Sequence, residues 1–333
     1  MGVADYLEIT VDQAAAQWRQ VVDRTPLADG QRQAAFLPIE TLMCAAAMHI
    51  VEYSRLGSST MHKAGAPAPE LARLFRRPVS SIVAKMNNLD GRRPRGAKYD
   101  LEVGLALAVD QDLMSEIYRR VLAGARVQGV GQLELPDFLG IEGGGGLRLL
   151  GQEELDSASV EAVMEQEIPE WRARTPNQPL GVTEKFLLQY LRMGQSRFAN
   201  GVLHNCGNAC LFCGFTLGDG GRPSLLRAGH IKPWKDSVGF ERLDVANGLA
   251  ACPTHDAAFD AGLMTLDVTT SDLTVRLGKR LQNAVDTNAA AEFYFGPPRL
   301  RRSVPLTALS VQDALTDLDW PHQRSRRRLS ETP

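Results

Sequence analysis

No apolar run in this chain of 333 residues approaches the about 20 residues that a membrane-spanning helix needs. Its first residues, MGVADYLEIT, lack the basic-then-apolar order of a secretory leader, so a cytoplasmic protein without a membrane partner is expected. Cysteine is scarce, and its odd count of five does not suit a secreted disulfide scaffold. Aromatic residues make up only 6%. An excess of either charge is also missing: 37 Lys+Arg stand against 39 Asp+Glu, a net −2 that, taken whole, speaks against a nucleic-acid binder. What is present is ordinary for a globular protein, 44% hydrophobic and 23% charged residues. The length exceeds one compact core and predicts two domains.

The near-zero sum hides an uneven distribution. Between residues 73 and 98 stand eight basic residues (Arg73, Arg76, Arg77, Lys85, Arg92, Arg93, Arg95, Lys98) and one acid, Asp90, a local excess of +7. The acidic stretch EELDSASVEAVMEQEIPEW cancels it further along. Residues 38–55 are apolar at helical spacing and predict a buried helix. PELARLF opens another helix on a first-turn proline, and Pro78 stops it. VSSIVAKMNNL follows, with Ser80 or Ser81 as its expected N-cap. Helix, tight break and helix give the outline of a helix-turn-helix. Here Ser80, Ser81, Lys85 and Asn88 would offer groove donors, and Arg73, Arg76, Arg77, Arg92, Arg93 and Arg95 would meet phosphates. The plainer reading of the same charges is a solvated basic face.

A helix over residues 101–125 closes this region, so residues 1–128 are expected to form a helical DNA-recognition domain. Residues 129–182, with the loop-like GIEGGGG and the acidic stretch, read as a connector. Residues 183–320 start with a helix and continue in short strand-like runs (LMTLDV, LTVRLG, AEFYFG); 321–333 form a basic tail. The fold class expected is α+β.

Four of the five cysteines fall in the second part. Cys210-x-x-Cys213 and Cys252-x-x-His255 are two pairs at the spacing of a structural zinc site, Cys3His, with Cys206 as a rival ligand. Four unrelated buried side chains are the bland alternative. Around them runs a second series. His230 ends a strand-like run, Asn247 precedes the apolar GLAAC, and Asp256 and Asp260 sit four apart on a short helix. Strand, loop, strand, helix, with one polar group on each, is the ββα layout of a one-metal nuclease site. A neutral imidazole would take a proton from water, and a divalent ion would neutralise charge on the phosphate.

The segments Gly229-His-Ile-Lys-Pro-Trp234, Asn247-Gly-Leu249 and Cys252-Pro-Thr-His-Asp-Ala-Ala-Phe-Asp-Ala-Gly262 resemble the His-Me finger (HNH) endonucleases. The branch concerned has the pattern A-H-I-x-P-W, N-G-L and C-P-x-H-H-x-x-F-D-x-G. The upstream R-x-G-Q-x-x-F, Arg192 to Phe198, is similar to the lead-in helix of restriction-type members. PELARLFRRPVSSIVAKMNNLD is similar to the N-terminal helices of some bacterial HNH restriction proteins.

The resemblance implies a zinc-stabilised ββα-metal domain that hydrolyses DNA. His230 would be the general base, and Asn247 would orient it or touch the ion. Asp256 and Asp260 would hold Mg²⁺ or Mn²⁺, with Lys232 and Lys235 near phosphate. Asp256 departs from the pattern, which has a second His there. A reader joined to a nuclease implies restriction of foreign double-stranded DNA by a homodimer, in one of two variants: recognition of a plain sequence, or of modified DNA (methylated or phosphorothioated). The competing expectation is a non-catalytic, zinc-stapled DNA-binding protein with a degenerate site.

Overall fold

The computed structural model describes residues 2–25, 33–93, 96–147, 149–152, 155, 157–174, 180–217, 225–237, 241–268, 272–301 and 303–305. Arg95, the Lys235 side chain and the tail 321–333 lie outside the described residues. The chain divides into two compact units: Met1–Leu149 with Val160–Gly194, and Leu150–Ser159 with Gln195–Pro333.

The first unit is helical. It contains α1 (Ala4–Leu7), α2 (Val11–Val22), α3 (Pro38–Ala47), α4 (Ala68–Phe75), α5 (Val79–Leu89), α6 (Asp100–Val109) and α7 (Gln111–Val127). Most of α8 (Ser157–Arg174) and the first part of α9 (Leu180–Asn205) also belong to it. Local chemistry explains several boundaries. Thr10 and Gln13 form a reciprocal capping box at the start of α2, and the Asp110 carboxylate accepts from Leu113 N to start α7. Every residue of α3 is buried, as its apolar run predicts, but α3 stops at Ala47 and the rest of that run is turn and a short 3₁₀ segment, Tyr53–Arg55. The expected serine cap of α5 is not used: Pro78 is its N-cap, without a side-chain bond.

The helix–break–helix is present, with Arg76 left-handed (φ +53°) at the break. Its second helix, however, is mostly core. Ile82, Val83, Lys85, Met86, Asn87 and Leu89 of α5 are buried. Residues 129–149 are likewise more than a tether, since Val130, Leu135, Leu139 and Ile141 enter the first core. The acidic stretch lies largely in α8.

The second unit places the end of α9 beside an antiparallel pair, β1 (Arg227–His230) and β2 (Gly248–Ala251). Helix α10 (Pro253–Asp260) follows, then the antiparallel sheet β3 (Met264–Val268), β4 (Asp272–Leu277) and β5 (Ser303–Pro305). α11 (Lys279–Thr287) and α12 (Ala289–Phe295) lie between β4 and β5 in the chain. The run AEFYFG, expected as strand, lies largely in α12. The Asn288 side chain accepts from Ala290 N and Ala291 N, and this cap with the alanines behind it overrides the strand preference of the aromatics.

Candidate metal centre and active site

The cysteine pairs are brought together by two different local devices. In the first, Cys210 N donates to Phe215 O at 2.8 Å and Gly214 N to Cys210 O at 2.7 Å. This closes a tight knuckle with Gly214 at φ +73°, a conformation that favours glycine. In the second, Cys252 is the N-cap of α10, Pro253 begins the helix, and His255 follows in its first turn. The ligand atoms of Cys210, Cys213, Cys252 and His255 lie within 4.8 Å of one another. Among the described residues this is the one group of three or more His, Cys, Asp or Glu side chains that could hold an ion. Cys206 stays outside it.

The donor chemistry fits zinc. His255 Nε2 faces Tyr294 O at 3.1 Å, and a carbonyl only accepts, so the ring proton belongs on Nε2. The Nδ1 lone pair is then directed at the sulfurs, 3.0 Å from Cys252 Sγ and 3.9 Å from Cys210 Sγ. A histidine oriented through its second nitrogen is the usual arrangement around a protein-bound metal. Hydrogen bonding from the Cys252 thiol holds the Cys210 thiol below its ordinary value. The same contact, with burial, pushes Cys252 up to about 11, and burial raises Cys213.

On the neighbouring face of α10, three of the polar residues singled out from the sequence come from separate elements. His230 ends β1, opposite Gly248, and is buried. Its Nε2 faces Arg242 O at 3.0 Å, which again places the proton on Nε2 and leaves Nδ1 as the basic nitrogen. The Phe198 ring of α9 stacks on the imidazole, centroids 3.9 Å apart and planes 8° from parallel.

Asn247 is buried, and both ends of its amide are engaged. Oδ1 accepts from Lys232 N at 2.8 Å; Nδ2 donates to Lys232 O at 3.3 Å and Glu241 O at 3.1 Å. These bonds tie the loop that follows β1 to the segment before β2. With both ends of the amide engaged, the Asn247 side chain acts as a staple for the loop that carries Arg242.

Asp256 is buried against β1. Arg227 Nη1 donates to its Oδ2 at 3.3 Å, and a Cβ added to Gly229 would stand 2.8 Å from its Oδ1. Glycine before His230, where the pattern has alanine, gives room for this carboxylate. Asp260 is exposed, and among the described residues it does not join Asp256 in a three-group metal cluster. Lys232 pairs with Glu241 at 2.5 Å.

The expected DNA-contacting residues of the first unit separate into two groups. Arg73, Arg76 and Arg93 are exposed, and Ser80 and Ser81 are half-buried. Arg77 and Lys85 are corrected to interior roles. Arg77 is 6% exposed, donating to both oxygens of the buried Glu40 and to Ala34 O and Ala35 O. Lys85 donates to both oxygens of Asp100 at 2.8 Å, and Asn88 to Asp100 Oδ2 at 3.1 Å. Arg92 reaches Ser54 O and the Tyr190 hydroxyl. Arg77 and Lys85, buried against the counter-charges Glu40 and Asp100, are out of reach of a phosphate.

Sequence reasoning missed Arg227 and the stacking role of Phe198. The signals were there: a charged residue opening an apolar strand, and the final position of R-x-G-Q-x-x-F.

Residues 210–267 match the family model described as HNH endonuclease, a stretch that contains both cysteine pairs, His230, Asn247 and Asp256. No curated protein and no solved structure matches the chain. The chain is thus similar to HNH nucleases over its Cys3His region, and no helix among the described residues is long and apolar enough to cross a membrane.

Proposed function

We propose that the protein is a metal-dependent endonuclease that hydrolyses DNA phosphodiester bonds. One observation carries the reading: in a stretch similar to HNH endonucleases, the His230 Nε2–H is committed to Arg242 O, so Nδ1 is the nitrogen able to take a proton from an attacking water. The Phe198 ring and the Asn247 staple keep that imidazole from turning. Asp256 is the carboxylate that would hold Mg²⁺ or Mn²⁺. When bound, such an ion supplies positive charge to the phosphate and to the departing 3′ oxygen. The Cys3His group would hold zinc as a structural clamp at the base of α10. Restriction of foreign double-stranded DNA, modified or not, is the biological setting we favour; the support is a separate helical unit with exposed Arg73, Arg76 and Arg93. A homodimer would cut both strands with one site per chain.

The test is plasmid cleavage with Mg²⁺ or Mn²⁺ by the wild type and by His230→Ala, each confirmed folded. Loss of cutting in the variant alone supports the reading; equal rates would sink it. A second reading has its own observation, the Arg227–Asp256 pair, in which a guanidinium occupies the carboxylate expected to bind the ion. Under it the domain binds DNA without cutting, and no divalent ion would elicit nicking.

A further inference from the structure

In an aromatic-poor chain, all three exposed aromatic side chains among the described residues gather in one region. Phe215 is 38% exposed, Phe293 49% and Tyr294 46%. They belong to segments tied together around the Cys3His group. Phe293 and Tyr294 touch edge to face, centroids 5.1 Å apart, and the Tyr294 carbonyl accepts from His255. The Arg299 guanidinium lies 3.7 Å from the Phe293 ring centroid. Arg301 N donates to Phe212 O at 2.7 Å, and its side chain passes so close to Gly214 that a Cβ there would stand 2.2 Å from Nη2. Phe215 is the residue after Gly214. Two exposed rings and the exposed Arg299 thus adjoin one another, while exposed Phe215 and Arg301 lie on segments tied to the same Cys3His group.

Exposed aromatics are costly to leave in water and, interleaved with arginine, suit one ligand chemistry above others. Unpaired nucleobases stack on such rings, and guanidinium groups hold the phosphates between them. A base-paired duplex hides its base faces and gains little from the same surface. We propose that this surface is a stacking platform for unpaired nucleotides, so that the preferred substrate is duplex DNA carrying an unpaired stretch next to the cut. The naming of a substrate rests on the nuclease reading; the binding itself does not. His255, whose Nε2 donates to the Tyr294 carbonyl, and Asp256, packed against Gly229 of β1, are consecutive residues of α10, so this one helix joins the platform to the strand that ends at His230.

The experiment uses the full chain and fluorescence anisotropy without added divalent ion. The probes are a labelled single-stranded oligo-dT and a blunt duplex of the same length. Oligo-dT is expected to bind more tightly than the duplex. Phe293→Ser with Tyr294→Ser should weaken oligo-dT binding by about 10-fold or more while changing duplex binding less than about twofold. Arg299→Ala, which leaves the rings in place, should weaken oligo-dT binding and steepen no other property; unchanged zinc content and thermal unfolding show that each variant is folded. No oligo-dT binding, or equal losses on both probes, overturns the platform. So does a change in native mass in the serine variant with no change in oligo-dT binding, which assigns the surface to a protein contact. If the platform fails while the wild type still cuts plasmid, the nuclease reading stands. If oligo-dT binding behaves as expected but nothing is cut, the nuclease reading alone falls.

Discussion

Phe198 and His230 lie face to face, ring centroids 3.9 Å apart, one contributed by the end of a helix and the other by the end of a strand. The aromatic face limits rotation of the imidazole and stabilises the imidazolium formed when His230 takes a proton. Phe198→Leu should lower the single-turnover cleavage rate by roughly 10- to 100-fold, the range for a displaced reacting group. Phe198→Tyr should recover most of the rate. DNA affinity should stay within about twofold, since the ring is buried; a rate loss explained by weaker binding would sink this role.

Asn247 offers a sharper distinction between positioning an imidazole and holding an ion. Asn247→Ala removes the partners of Lys232 N and Glu241 O, which should cost about 1–3 kcal/mol of stability. Cleavage should fall steeply, while the concentration of Mg²⁺ or Mn²⁺ at half-maximal rate stays near the wild-type value. A large rise in that concentration would return Asn247 to the role of a ligand.

Zinc should copurify in equimolar amount and be lost from Cys213→Ser, as read by elemental analysis. Binding must displace protons from thiols, and Cys252, pushed up to about 11, keeps its proton through neutral pH without an ion. Zinc affinity should therefore fall as pH is lowered from roughly 8 to 6. Chelation should lower the unfolding temperature of the second unit.

The first unit carries its own pH dependence. Burial works to raise the Glu40 carboxyl, but hydrogen bonds from Arg24 and Arg77 outweigh it and hold the group below its ordinary 4.5. A depressed folded-state value means stability that is present above pH 4.5 and is lost as pH falls through the folded value. Glu40→Ala should cost about 3–5 kcal/mol, because two guanidinium groups lose their shared counter-ion. The stability difference between wild type and variant in calorimetric scans should narrow as pH falls below 4.5.

The chemistry-bearing half was legible where spacing alone fixes geometry. Two x-x pairs predict one four-ligand group, and the structure brings Cys210, Cys213, Cys252 and His255 together. The helices α4 and α5 were equally legible from Pro69, Pro78 and the apolar period. What could not be read was the direction in which polar residues point. Arg77 and Lys85 look like surface charge in a basic run until Glu40 and Asp100, distant in sequence, are seen to face them. Asp256 and Asp260 share a helix spacing, yet one is buried and the other exposed, because α10 covers β1 over only part of its circumference. Helix α12 was misread because side-chain type outweighed the Asn288 cap in the sequence reading.

Helix α10 holds its two neighbouring polar residues to opposite duties, His255 toward the sulfurs and Asp256 toward β1. Successive helical residues are turned by about 100°. Deletion of a single residue between Pro253 and His255 would bring the carboxylate to the place of the imidazole, and insertion of one would bring the imidazole to the place of the carboxylate, so that either change leaves both duties unfilled. The segment is thereby closed to length change, whatever side-chain substitutions it tolerates, and any viable rearrangement must spare its spacing.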